Sequence, residues 1–188
     1  MSFVIQMILF TLLAASLIIS AITDLKFRRI MNLVTLPSLV VALLLHTAGG
    51  GAAGLIFGIK GLGFGFVCLI IPYLMGIMGA GDVKLMSVVG AVTGFEHTLF
   101  SLSFIAMAGG ILAMVLLLKR RVLKQSFNRI WTVLICFVTI RDMQALKYSK
   151  DDLTQEGMPF AVAISTGVFL YSIYVWKATG MLPVLGPS

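Results

Sequence analysis

Residues 3–23 form a predominantly apolar run without a single charged side chain, and similar runs recur near 33–48, 61–78, 83–95, 97–118 and 157–176. About 20 such residues cross the hydrocarbon of a bilayer. The chain therefore reads as all-α, a polytopic membrane helical bundle of about six transmembrane helices forming one integral membrane domain over 1–188. Composition agrees: 60% of residues are hydrophobic and 11% are charged, against about 45–50% and about 25% in soluble domains. A signal peptide would show a shorter apolar core behind a positive start, so 3–23 is expected to be a retained first span. The fourth run is short and reads as tilted or longer than these limits. Residues 49–60, "GGGAAGLIFGIK", are too short to cross and are expected to form a re-entrant or surface segment, with Lys60 reaching an interface.

Basic residues set the orientation. Under six spans, Lys26, Arg28, Arg29, Lys84, Lys119, Arg120, Arg121, Lys124, Arg129, Arg141, Lys147 and Lys150 share one side, and only Lys60 and Lys177 take the other. The positive-inside rule makes the first side cytoplasmic and the amino terminus external. The net charge of +7 then follows from topology and contact with anionic lipid, and no nucleic-acid partner is needed. "RIWTVLICFVTIR", residues 129–141, is short for a crossing and is expected to lie as a helix on the cytoplasmic interface or as a shallow re-entrant, within a segment at 125–143 where Trp131 and Phe137 rest on headgroups, with a seventh crossing as the alternative. Cys68 and Cys136 form no C-x-x-C pair and read as buried free thiols, while His46 and His97 stand beside expected loops. No metal site and no cofactor are expected.

The seven acids carry the functional information. Asp142, Asp151, Asp152 and Glu156 fall in the long cytoplasmic loop, and Glu96 falls in an outer turn. That leaves Asp24, ending the first span in "AITDLKFRRIMN", and Asp82, opening the fourth in "GAGDVK". Both map to the cytoplasmic boundary. Two carboxylates delivered to one leaflet by separate helices are what aspartyl hydrolysis needs, because like charges at close range share a proton. One acid then takes a proton from water while the other donates one to the amide. Gly79 and Gly81 around Asp82 permit close backbone approach and positive φ, and an acid at a break in the membrane is a functional site by default. Asp24 stands at a helix carboxyl end and Asp82 at an amino end, so the dipole places charge on Asp82 and the proton on Asp24.

These residues resemble the type IV prepilin peptidases. "GAGD", residues 79–82, is similar to the G-x-G-D signature of intramembrane aspartyl proteases, and Lys84, "DLKFRRIMN" and "GMPFAVAI" extend the likeness over most of the chain. The resemblance implies a membrane aspartic endopeptidase of the bacterial inner membrane. It would cut the basic leader from a prepilin at the cytoplasmic boundary, with Asp24 and Asp82 as the acid pair and Gly79 and Gly81 shaping the active-site break. Arg28, Arg29, Asn32, Lys84 and Pro159 match further recurrent positions. Asp151, Asp152 and Glu156 are candidates to receive the leader's positive charge. Presenilin-like proteases place a tyrosine before the first acid, where this chain has Thr23. Two departures stand out: Met31 occupies the place of a proline, and no amino-terminal region with paired C-x-x-C motifs is present. The likeness is thus to the short kind associated with Tad/Flp-type pili. The alternatives are a small proton-coupled transporter, since acids near broken helices also mark ion paths, and a noncatalytic pilus-assembly membrane factor. The oligomeric state is not legible from sequence.

Overall fold

The computed structural model describes residues 2–74, 78–120, 160–180 and 182–184. Its described elements are four α-helices: α1 (Phe3–Phe27), α2 (Asn32–Leu74), α3 (Ala80–Arg120) and α4 (Phe160–Thr179). By length and composition all four are able to cross a membrane, so the chain is a helical membrane protein. Exposed apolar side chains such as Ile22, Leu44, Ile71 and Trp176 cover its outside, as expected where lipid replaces water.

Two of the helices are bent at a single glycine. Gly51 has φ 59° and ψ −141°, and Gly94 has φ 76° and ψ 177°, backbone regions almost closed to residues with a Cβ. Beyond Gly51 the chain runs back along itself, with Gly54 against the main chain of His46 and Gly58 against the side chain of Leu43. The expectation of a re-entrant or surface segment at 49–60 is therefore corrected. These residues are helical on either side of Gly51, and Gly54 and Gly58 are buried. Hydropathy fell there because glycine is weakly apolar, not because the backbone leaves the bundle.

The second half of α2 packs antiparallel to the first half of α3, with Phe57 against Gly94, Gly61 against Gly90 and Gly65 against the Met86 carbonyl. Small residues allow this backbone-to-backbone approach. After Gly94 the second half of α3 lies antiparallel to α4, where Gly167 meets Ile105 and Gly109 faces Ala163. The bend at Gly94 is stitched by side chains. Thr93 and Thr98 hydroxyls are 2.9 Å apart across it, and His46 Nε2 donates to the Val92 carbonyl at 3.2 Å. His46 is fully buried inside α2, and His97 is helical with Nδ1 2.6 Å from the Tyr171 hydroxyl. Both histidines are helical and stand within a few residues of the bends at Gly51 and Gly94. Cys68 is a free, half-buried thiol.

On α1, Leu9, Leu13, Ser16, Leu17, Ser20 and Asp24 are buried, a three-to-four-residue spacing that defines one helix face. That face meets Leu85, Met86, Val89 and Val92 of α3 and Ile164 and Val168 of α4 in one core. Helix α1 ends at Arg28, which adopts the left-handed conformation (φ 51°, ψ 34°) and donates its N–H to the Asp24 carbonyl at 2.8 Å. The last span, expected over 157–176, is observed as Phe160–Thr179. The segment 125–143, with Trp131, Phe137 and Cys136, lies outside the described residues.

Candidate active site

Asp24 sits in the last turn of α1, one turn before the left-handed residue that ends the helix. Its side chain is buried and faces α4, where Oδ2 accepts the Ala161 backbone N–H at 3.1 Å. Ala161 is the second residue of α4, so its N–H is one of the unpaired donors that every helix start presents. One turn further, the Ser165 hydroxyl lies 3.0 Å from the Leu17 carbonyl and 2.7 Å from the Ala161 carbonyl. It ties the start of α4 to α1 beside the acid.

Asp82 sits in the first turn of α3 and is equally buried. Its Oδ2 accepts the Gly79 N–H at 3.1 Å, while its own N–H donates to the Gly79 carbonyl at 3.1 Å. This reciprocal pair closes the turn ahead of α3 and fixes the carboxylate at the amino end of the helix. Asp24 lies within electrostatic reach of Asp82, and the Arg28 guanidinium lies within reach of Asp24. The two acids thus lie at one end of the bundle within electrostatic reach of each other, Asp24 on α1 against the start of α4 and Asp82 at the start of α3.

The geometry changes the dipole argument. Asp24 closes its own helix, yet its carboxylate caps the amino end of α4. Both acids therefore face a helix amino terminus, and a division of charge based on opposite helix ends has no basis here.

The supporting residues separate by role. A Cβ on Gly81 would stand 2.8 Å from Ile30 Cβ, so the missing side chain lets the α1–α2 turn lie directly on the start of α3. Gly79 has no such neighbour; the nearest atom to its Cβ position is Asp82 Oδ2 at 3.4 Å. Neither has positive φ, which among the described glycines belongs to Gly51, Gly94 and Gly180. The expected use of positive φ at 79 and 81 is corrected to close approach at Gly81 alone. Lys84 Nζ donates to Asn32 Oδ1 at 2.8 Å, joining the first residue of α2 to α3 near Asp82. Arg28 and Arg29 are exposed on the turn between α1 and α2. Pro159, Asp151, Asp152 and Glu156 lie outside the described residues.

Sequence reasoning missed Ala161, Ser165 and Ile30. A signal for the first was present: proline just ahead of an apolar run marks a helix start, and a helix start offers free N–H groups to an acid.

The chemistry available is that of two buried carboxylates, each accepting one backbone N–H. Such a pair is suited to moving protons to and from one water molecule. Comparison with known proteins identifies the family. The profile described as the type IV leader peptidase family matches residues 11–116, a stretch containing both acids and more than half of the 188-residue chain. The prepilin leader peptidase/N-methyltransferase of Bacillus subtilis (strain 168) is 32% identical over 113 residues, 58% of this chain and 45% of that protein. The chain thus spans under half the length of that curated relative. No solved structure matches.

Proposed function

Because this chain belongs to the type IV leader peptidase family, we propose that it is a membrane-embedded aspartyl endopeptidase that removes the leader of a type IV prepilin. Asp24 and Asp82 are its catalytic pair. In one cycle the ionised acid takes a proton from water, the resulting hydroxide attacks the scissile carbonyl, and the protonated acid delivers its proton to the departing amide nitrogen. The observation that supports this reading is that two buried carboxylates lie within electrostatic reach of each other, one accepting the Ala161 N–H and the other the Gly79 N–H.

The finer features belong to the same proposal. Residues 1–188 act as one integral membrane domain. Helices α2 and α3 each cross twice by reversing at Gly51 and Gly94, which with α1 and α4 gives six crossings. The amino terminus faces outward and the acids face the cytoplasm of a bacterial inner membrane, as the distribution of basic residues requires. The substrate is a Tad/Flp-like prepilin with a basic leader and an apolar helix, the class that the sequence resemblance implies. Lys84, Asn32, Arg28 and Arg29 support the turn beside the acids, and Pro159 contributes to substrate binding. Asp151, Asp152 and Glu156 receive the leader's charge.

The test is direct. Purified protein in detergent is incubated with a prepilin and the mass shift of leader removal is followed for the wild type, Asp24→Ala and Asp82→Ala. Cleavage by the wild type alone is expected. Cleavage that survives either alanine removes the acid-pair mechanism, and acid-dependent proton flux in liposomes without cleavage replaces it with transport.

A further inference from the structure

A cavity of about 150 Å³ lies between the two halves of α2 and the start of α3. Thr35, Leu39, Leu62 and Ser87 form its walls. Leu36 and Phe66, which are 53% and 45% exposed, stand at its edge, so it opens sideways on the lipid-covered surface and not into the core. Lys84 lies at its rim. The Lys84 ammonium gives one hydrogen to Asn32 and, among the described residues, has two more to donate.

This cavity is not a continuation of the acid site. Asp82 and Lys84 are two residues apart on one helix, which turns their side chains roughly 200° from each other. A peptide bond held between Asp24 and Asp82 therefore lies on the other side of α3. The contents must instead satisfy three conditions at once: entry from the bilayer, an apolar body, and a negatively charged group at the membrane boundary where Lys84 ends. Lys26, Arg28 and Arg29, exposed at the same end of the bundle, add positive potential there.

We propose that this cavity binds one anionic phospholipid, with the headgroup phosphate on Lys84 and part of an acyl chain between Leu39 and Leu62. A volume near 150 Å³ accommodates an apolar group about the size of benzene, so only the upper part of one chain is enclosed. The remainder lies along Leu36 and Phe66. Held there, the lipid braces the start of α2 against the start of α3, the helix that carries Asp82. The binding itself does not depend on the peptidase chemistry.

The experiment is native mass spectrometry of the full chain in detergent, offered phosphatidylglycerol and phosphatidylcholine in equal amounts. The wild type should retain one phosphatidylglycerol in preference to phosphatidylcholine. Leu62→Trp, which fills the cavity, should lower that retention about tenfold, the loss expected when roughly two methylene groups give up their burial. Leu39→Phe, a milder filling, should act in the same direction if the tryptophan variant does not fold, while Ile111→Ala on the exposed face of α3 should retain lipid normally. Equal retention of both lipids, unchanged retention in both filling variants, or displacement of the lipid by inorganic phosphate alone would overturn the proposal. So would filling variants that raise KM for a prepilin while retaining lipid, because the cavity would then hold a peptide side chain.

Discussion

The carboxylate of Asp24 accepts the backbone N–H of Ala161 at 3.1 Å, so the first acid of the chain is positioned by the first turn of its last described helix. This contact separates structural from chemical effects of substitution. Asp24→Asn keeps a carbonyl oxygen for the Ala161 N–H, and its thermal unfolding in detergent should match the wild type closely. Asp24→Ala leaves that N–H buried without a partner and should be less stable by about 1–3 kcal/mol. Both should lose cleavage by at least about 10²–10⁴-fold, the range of a general acid or base. Equal stability of the two variants would contradict the contact.

Gly79 and Gly81 should respond differently to alanine, although the motif treats them alike. Gly81→Ala drives a methyl into Ile30, an overpacking that costs about 1–3 kcal/mol, and cleavage should fall with it. Ile30→Ala in the same chain should restore little of either, because the Cβ that stands 2.8 Å away remains. Gly79→Ala meets only ordinary contact at 3.4 Å, so its unfolding temperature should move little. Unfolding temperatures and cleavage rates of the three variants check this.

Lys84 and Asn32 should behave as a coupled pair. Their 2.8 Å hydrogen bond joins α3 to α2, and a bond to a charged donor near the surface is expected to couple by about 0.5–1.5 kcal/mol. A double-mutant cycle of Lys84→Met and Asn32→Ala on unfolding free energy measures it. Additive losses would mean that the two residues act separately.

At the bends, Gly94→Ala should be the more damaging change. Both Gly51 and Gly94 have positive φ, and that strain costs about 1–3 kcal/mol for any other residue. A Cβ on Gly94 also enters the Phe57 ring, whereas one on Gly51 meets open space. Folded yield after detergent extraction should therefore fall for Gly51→Ala and fall further for Gly94→Ala. Phe57→Ala should recover part of the second loss only.

The membrane class, the helices and the two acids were legible because they depend on local composition: uncharged apolar runs, and carboxylates standing alone at their edges. The partner of Asp24 was not legible, since 137 residues separate it from Ala161 and only the tertiary path brings α4 alongside α1. Nor does hydropathy report backbone angles. It marked 49–60 as weakly apolar, when the chain there is helical and turns at one residue, Gly51. The dipole argument for Asp24 failed for a related reason, because it considered the helix bearing the acid and not the helix that the carboxylate touches. The acidic cluster at 151–156 and Pro159 lie outside the described residues, so their part in the site rests on sequence alone.

The central claim is that Asp24 and Asp82 act as one unit on one water molecule. Groups that act as a unit lose almost everything when either is removed, and losing both adds little. The decisive measurement is therefore kcat/KM for prepilin cleavage by Asp24→Asn, Asp82→Asn and the combined variant, each shown to be folded. Both single variants should fall to the same floor, with no further loss in the double. A single variant within about tenfold of wild type, or losses that multiply as independent effects do, would contradict a shared site.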